Sequence, residues 1–78
     1  MASNDIKDAR VAELVRLGAR VRQLRSDAGL TYAAVAEDIG VHRTTLERFE
    51  RGEHDLGASS LRLLVKVLGT DASQLLDG

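Results

Sequence analysis

The first half of the chain contains one long amphipathic segment. At about 100° of rotation per residue, five apolar residues fall within one narrow sector of a helix: Leu14, Leu17, Val21, Leu24 and Ala28. This pattern predicts a first helix that ends before Gly29. Asn4 or Asp5 is expected to cap its start, and residues 6–10 are expected to fray.

Two short amphipathic segments follow, separated by three residues. Thr31 is a suitable N-cap for a second helix over residues 32–39, whose inward-facing residues are Val35, Ala36 and Ile39. Gly40 is expected to end this helix because glycine adopts positive φ without steric cost. A third helix is predicted over about residues 43–51, with two apolar residues on one face, Leu46 and Phe49.

The last third of the chain predicts two more helices. Between a polar loop at residues 53–57 and Gly69, apolar residues recur at helical spacing: Leu61, Leu64, Val65 and Leu68. Asp71 and Gln74 resemble a capping box that opens a short last helix with Leu75 and Leu76. A chain of 78 residues can hold one modest core. We therefore expect an all-α fold of five helices in a single domain, residues 1–78, with residues 1–8 frayed.

The composition narrows the function classes. Tyr32 and Phe49 are the only aromatic residues, so aliphatic side chains must build the core. The chain has no cysteine, which excludes disulfide scaffolds, thiolate zinc sites and cysteine nucleophiles. No long apolar run is present, and acidic residues occur among the first fifteen positions, which argues against a membrane span or a signal peptide. We expect a soluble, cytoplasmic protein.

The charge is unevenly distributed. A net charge of −1 is unfavourable for binding nucleic acid, because most of that affinity comes from cations that replace counterions on phosphates. Residues 16–51, however, contain seven arginines and five acidic residues, a balance of +2, whereas the segments before and after them contribute −1 and −2. The acidic excess therefore lies outside the central segment.

The segment over residues 32–51 resembles the helix-turn-helix of the phage repressor and Cro family, also called the XRE family. The apolar or small residues that this family requires around the central Gly40 are all present: Val35, Ala36, Ile39, Val41, Leu46 and Phe49. The stretches LGARVRQLRSDAGLT, FERG and SLRLLVKVLGTDASQLL are also similar, so the resemblance covers residues 14–77. It implies a five-helix, lambda-repressor-like DNA-binding domain.

The resemblance places the third helix in the major groove of DNA. It assigns base contacts to five residues of suitable chemistry: His42, Arg43, Thr44, Glu47 and Arg48. Arg43 and Arg48 are the strongest candidates, since arginine can donate two hydrogen bonds to guanine. The alternative is a solvated charged face on which Glu47 pairs with Arg51.

Phosphate contacts are expected from Thr31, Tyr32 and Arg51. The family usually has glutamine where this chain has Tyr32, and its loop after the third helix is often uncharged or basic. Here that loop contains Glu53, His54 and Asp55. Because acidic groups repel a DNA backbone, we expect either that the loop points away from DNA or that binding is weak and very sensitive to salt.

Two further charged residues are expected to be structural. Arg25 and Glu50 correspond to positions that often pair in the family, tying the first helix to the end of the third. At about 100° of rotation per residue, Arg25 lies at the border of the apolar face of the first helix, where such a pair is partly shielded from water. The alternative is two unrelated surface charges, which would contribute little.

The sequence does not point to catalysis. His42 and His54 are twelve residues apart and lack a recognisable metal-ligand spacing. We expect His42 to be a poor N-cap of the third helix and His54 to be a loop residue. Ser59 and Ser60 fit the first turn of the fourth helix, since no partnered histidine is indicated. We predict no enzymatic activity, no metal and no cofactor.

These expectations favour a transcriptional regulator that binds double-stranded DNA. One recognition helix covers few base pairs, so a homodimer on a palindromic operator is expected. Leu75 and Leu76, with exposed parts of the fourth helix, are candidates for the dimer surface, but they can equally complete the core. The alternative is a protein-interaction module of the same fold that has lost DNA binding, in line with Tyr32 and the acidic loop.

Overall fold

In a computed structural model of the chain, the backbone of residues 2–69 and the side chains of residues 6–69 are described. This part consists of four α-helices: α1 (Ala2–Asp27), α2 (Tyr32–Ile39), α3 (Arg43–Glu50) and α4 (Ala58–Val67). Residues 2–69 contain no β-strand, which confirms the all-α class. Four of the five predicted helices are therefore present, and the fifth, at residues 71–76, lies outside the described residues.

Helix α1 begins earlier than its apolar pattern predicted. It starts at Ala2, so Asn4 and Asp5 lie inside the helix and do not cap it, and residues 6–10 continue the helix. These turns contain no glycine or proline, so backbone hydrogen bonding extends beyond the point where burial begins. At the other end the helix stops at Asp27, and Ala28, predicted as part of the apolar face, is an exposed turn residue.

The core is built from the inner faces of all four helices and one loop residue, Leu56. Eight apolar side chains are buried: Val21, Val35, Ala36, Ile39, Leu46, Phe49, Leu56 and Leu64. Helix α1 packs on α3, and α2 packs on both α3 and α4. The other stripe residues predicted on α1 and α4 are partly buried around this cluster, among them Leu14, Leu17 and Leu24. The aliphatic core expected from the composition therefore forms around a single aromatic ring, that of Phe49.

Gly18 allows α1 to approach the end of α3 closely. A Cβ atom at this position would lie 2.8 Å from the carbonyl oxygen of Glu50 and even closer to that of Phe49. Contacts this short do not occur between a real Cβ and a backbone oxygen, so any larger residue would push the two helices apart. The α1–α3 crossing, which supports the outer helix of the candidate site, therefore depends on this glycine.

Candidate nucleic-acid interface

The candidate site is the unit formed by α2, the turn at residues 40–42 and α3. Thr31 caps α2, because its Oγ1 accepts a hydrogen bond from the backbone N–H of Ala34 at 3.1 Å. Gly40 ends α2 with φ of 75°, and the N–H of Val41 returns to the carbonyl of Ala36 at 3.0 Å. This is the hydrogen-bond pattern of a glycine-terminated helix. Both predicted caps are confirmed, and they make the turn short.

Helix α3 has one buried face and one exposed face. Leu46, Phe49 and Glu50 are buried on the inner side. Arg43, Thr44 and Arg48 are exposed, and no element in the described part of the chain covers them. His42, also exposed, occupies the N-cap position without a side-chain cap hydrogen bond, as expected of a poor cap. The residues assigned to base contact thus lie together on one solvent-facing side, with Glu47 partly buried among them.

The charges on this helix pair differently from the alternative interpretation of the sequence, in which Glu47 pairs with Arg51. Glu47 lies 3.7 Å from Nε of Arg43, one turn earlier, rather than beside Arg51. Arg51 is the residue after α3, and its Nε donates to Glu53 in the following loop at 2.7 Å. The Glu47–Arg51 pair of that alternative is therefore not found among the described residues. Glu47 has an arginine one turn away on each side, and in the structure Arg43 is its partner while Arg51 pairs with Glu53.

Arg48 differs from its two neighbours on this face. It is exposed, and within residues 6–69 no ion pair engages its guanidinium, whereas those of Arg43 and Arg51 both face a carboxylate. The Arg43–Glu47 and Arg51–Glu53 pairs are largely exposed, and exposed pairs of this kind contribute about 0–1 kcal/mol. A phosphate or a base edge can therefore displace either carboxylate at small cost.

Beneath this surface, Arg25 and Glu50 form a shielded ion pair. Arg25 Nε donates to Glu50 Oε2 at 2.7 Å and Nη2 to Oε1 at 3.2 Å, a bidentate geometry. The side chains are only 11% and 1% exposed. The hydrogen bond that Arg25 donates to Glu50 raises the pKa of Arg25, against the opposing effect of burial. The structure thus brings together the two residues that the resemblance linked, and joins α1 to the end of α3.

Arg25 also organises the start of α2. Its Nη1 donates to the carbonyl oxygen of Leu30 at 2.8 Å, and its guanidinium carbon lies 3.9 Å from the centroid of the Tyr32 ring. This is cation–π geometry. Sequence reasoning missed this contact, because it depends on the path of the turn between α1 and α2. Tyr32 is half-buried, and Thr31 is exposed beside it.

The remaining polar candidates have structural positions. Ser60 donates to the carbonyl oxygen of Ile39 at 3.3 Å, which ties the first turn of α4 to the end of α2. Ser59 and His54 are exposed. In the part of the chain that the structure describes, no three histidine, aspartate or glutamate residues come together as metal ligands would. Among residues 2–69, no helix has the length and hydropathy to cross a bilayer.

These elements define a helix-turn-helix domain: a capped helix, a glycine turn and a second helix whose outer face is free. The sequence model of the helix-turn-helix domain family matches residues 16–77 of this chain. The chain therefore belongs to this family, in agreement with the resemblance seen in the sequence.

Known relatives share the fold and part of the sequence. The restriction-modification controller protein C.AhdI of Aeromonas hydrophila superposes with a TM-score of 0.76 at 30% identity, over 82% of this chain and 97% of that one. The clp gene regulator ClgR of C. glutamicum gives a TM-score of 0.76 at 30% identity, over 81% of both chains. A protein of Pyrobaculum aerophilum, named as an HTH-type transcriptional regulatory protein, is 33% identical over 57 residues. This match includes 73% of the present chain but only 23% of the relative's length.

Proposed function

We propose that this chain binds double-stranded DNA sequence-specifically and regulates transcription, with α3 in the major groove. The observation that supports this most directly is the exposure of Arg43, Thr44 and Arg48 on one side of a helix whose other side is anchored in the core. The major groove is wide enough to admit an α-helix, and its base edges carry a distinct donor and acceptor pattern for each base pair. His42 and Glu47 complete the proposed base-contacting set.

The chemistry of these side chains suits base recognition. Arg48 and Arg43 can each donate two hydrogen bonds to guanine, and the methyl group of Thr44 can pack on the methyl group of thymine. Glu47 can accept from the amino group of cytosine once DNA draws Arg43 away from it. Arg48 needs no such rearrangement, because no carboxylate in the described part of the chain engages it. We therefore assign it the main role.

Phosphate contacts are proposed for Thr31, Tyr32 and Arg51, at the two ends of the helix-turn-helix. Thr31 Oγ1 already accepts from Ala34, so its hydroxyl hydrogen remains to donate. Arg51 must leave Glu53 to reach a phosphate. These contacts position the protein on DNA without selecting a sequence.

The names of the relatives agree with this proposal, since they describe a controller protein, a gene regulator and a transcriptional regulatory protein. We further propose that the chain acts in the cytoplasm as a homodimer on a palindromic operator. Two recognition helices one DNA turn apart would read enough base pairs for useful specificity.

The first experiment is selection of bound sequences from a random DNA pool. Enrichment of a two-fold symmetric site with half-sites about 10 base pairs apart is expected. Affinity for the selected site should fall steeply as salt rises, because phosphate contacts release counterions. Affinity that hardly changes between low and moderate salt would contradict the proposed phosphate contacts.

The second experiment compares variants on the selected site and on random duplex by fluorescence titration. The variant Arg43→Ala plus Arg48→Ala should lose most discrimination between the two DNAs. Arg62→Ala removes one exposed arginine from α4 and should leave that ratio unchanged. No binding to any duplex at low salt, by a folded chain, would exclude the proposal and favour a protein-interaction module.

A further inference from the structure

The first turns of α1 extend along the outside of the molecule. Every side chain described from residue 6 to residue 13 is exposed. Ile6 is 57% exposed and Val11 is 53% exposed, although both are apolar. An amphipathic helix that continues past its own core leaves apolar surface for another molecule to cover.

A groove lies beside this exposed segment. It has a volume of about 480 Å³ and is lined by Arg10, Val11, Glu13, Leu14, Leu17 and Asp55. Two of its lining residues, Leu14 and Leu17, are partly buried and pack against the core. Arg10, Glu13 and Asp55 provide charges at its edges. The groove therefore combines apolar lining residues with charges of both signs.

The residues along α1 at this groove have the spacing of a helix–helix seam. Ile6, Arg10, Glu13 and Leu17 are separated by four, three and four residues, the spacing that keeps one face of a helix against a partner helix. The seam is apolar at both ends and charged in the middle. Three of its four members line the groove.

The order of these four residues is self-complementary only in one direction. If a second copy of α1 runs antiparallel, Ile6 faces Leu17 of the other copy and Arg10 faces its Glu13. In a parallel arrangement in register, Arg10 would face Arg10 and Glu13 would face Glu13. Facing like charges suppress a wrong arrangement, so the pattern selects the antiparallel pair.

We propose that this groove is the interface of a homodimer in which two α1 helices pack antiparallel. Ile6 of each copy inserts against Leu14 and Leu17 of the other. Arg10 of each copy pairs with Glu13 of the other on both sides of the two-fold axis. The proposal rests on the homodimer proposed above and gives it a surface on α1, distinct from α4 and from the exposed face of α3.

Two charged neighbours are compatible with this packing. Glu13 pairs with Arg16 of its own helix at 2.7 Å, but that pair is exposed and contributes little, so an incoming Arg10 can share the carboxylate. Asp55 also lines the groove and adds a second carboxylate to it.

The seam from residue 6 to residue 17 is about 18 Å long, since a helix rises about 1.5 Å per residue. Contacts of this length lie at the small end of specific interfaces. We therefore expect a reversible dimer, with a dissociation constant of the order of micromolar to hundreds of micromolar. It is measured by sedimentation equilibrium of the full chain, without DNA, over concentrations up to about 1 mM.

The decisive variants exchange charges. Arg10→Glu and Glu13→Arg should each weaken the dimer at least about tenfold, because each places like charges opposite one another. The double variant restores opposite charges and should regain the parent constant within about threefold. Ile6→Asp should also dissociate the dimer. Arg22→Glu makes the same charge change at another exposed arginine of α1 and should have no effect. Circular dichroism checks that each variant stays helical.

Three outcomes would overturn the interface. One is a monomer at every concentration, as expected if residues 70–78 of the same chain cover the groove. Another is a double charge exchange that fails to restore the dimer. The third is dissociation by Leu63→Asp, at a 41% exposed apolar residue of α4, with no effect of Ile6→Asp. A chain that binds the selected DNA but gives any of these results would disprove the α1 interface alone.

Discussion

Nε of Arg25 lies 2.7 Å from a carboxylate oxygen of Glu50, and both side chains are almost completely shielded from water. The pair joins α1 to α3, and its two residues are 25 positions apart in the sequence. Breaking such a pair leaves one charge buried without compensation, which is costly. The same chain contains an exposed ion pair with the same closest distance, Arg51 and Glu53, which serves as a matched comparison.

We predict that Glu50→Ala lowers the free energy of unfolding by roughly 3–5 kcal/mol. Glu53→Ala, which removes the exposed pair, should lower it by less than about 1 kcal/mol. Urea denaturation followed by circular dichroism measures both. Because the pKa of Arg25 is raised, its contribution is complete below its usual pKa and is lost only at strongly alkaline pH. Equal urea midpoints for the two variants would show that the buried pair contributes no more to stability than the exposed one.

The contact between Arg25 and Tyr32 allows two roles of the tyrosine to be separated. Tyr32→Phe keeps the ring beneath the guanidinium, so stability should stay within about 0.5 kcal/mol, whereas Tyr32→Ala should lose about 1–2 kcal/mol or more through stacking and burial. If the hydroxyl donates to phosphate, Tyr32→Phe should lower affinity for DNA about equally for all sequences. Unchanged DNA affinity in Tyr32→Phe would show that the Tyr32 hydroxyl does not contact phosphate and that the residue has a structural role only.

We predict that Glu47→Gln alters discrimination more than it alters stability. It frees Arg43 and removes one negative charge from the proposed interface, so affinity for random duplex should rise and preference at one base pair should weaken. Competition titrations with base-substituted half-sites measure this change. Glu37→Gln removes the same charge from the exposed side of α2 and should leave base preference as it was. A matching loss of preference in both variants would contradict a base contact by Glu47.

The glycines offer a test of the α1–α3 crossing. Gly18→Ala should destabilise the fold by about 1–3 kcal/mol or more, because its Cβ would collide with two backbone oxygens of α3. Gly57→Ala is the control: its φ is −65° and no atom lies within 4 Å of an added Cβ. Gly57 is the N-cap of α4, where alanine is less favourable than glycine, and this cost opposes the gain through the unfolded chain, so the substitution should change stability by less than about 1 kcal/mol. Thermal unfolding of both variants measures the difference, and a stable Gly18→Ala would refute the proposed close approach.

Local features of this protein could be predicted from its sequence. The period of apolar residues identified α2, α3 and α4, and the caps at Thr31 and Gly40 were visible because each involves groups a few residues apart. The same period separated the inner face of α3, with Leu46 and Phe49, from its outer face. The start of α1 could not be predicted, because the described side chains of its first turns, residues 6–13, are exposed. No periodic apolar pattern therefore indicates where the helix begins.

Which charged side chains meet was decided by the tertiary structure. The sequence places an arginine one helical turn from Glu47 on either side, and in the folded chain Arg43 is its partner while Arg51 pairs with Glu53. Arg25 meets Glu50, Leu30 and Tyr32 because the α1–α3 crossing at Gly18 and the turn after α1 bring them within hydrogen-bonding and stacking distance. Hydrogen bonding and periodicity along a helix depend on near neighbours in the chain, whereas these contacts depend on how separate helices pack.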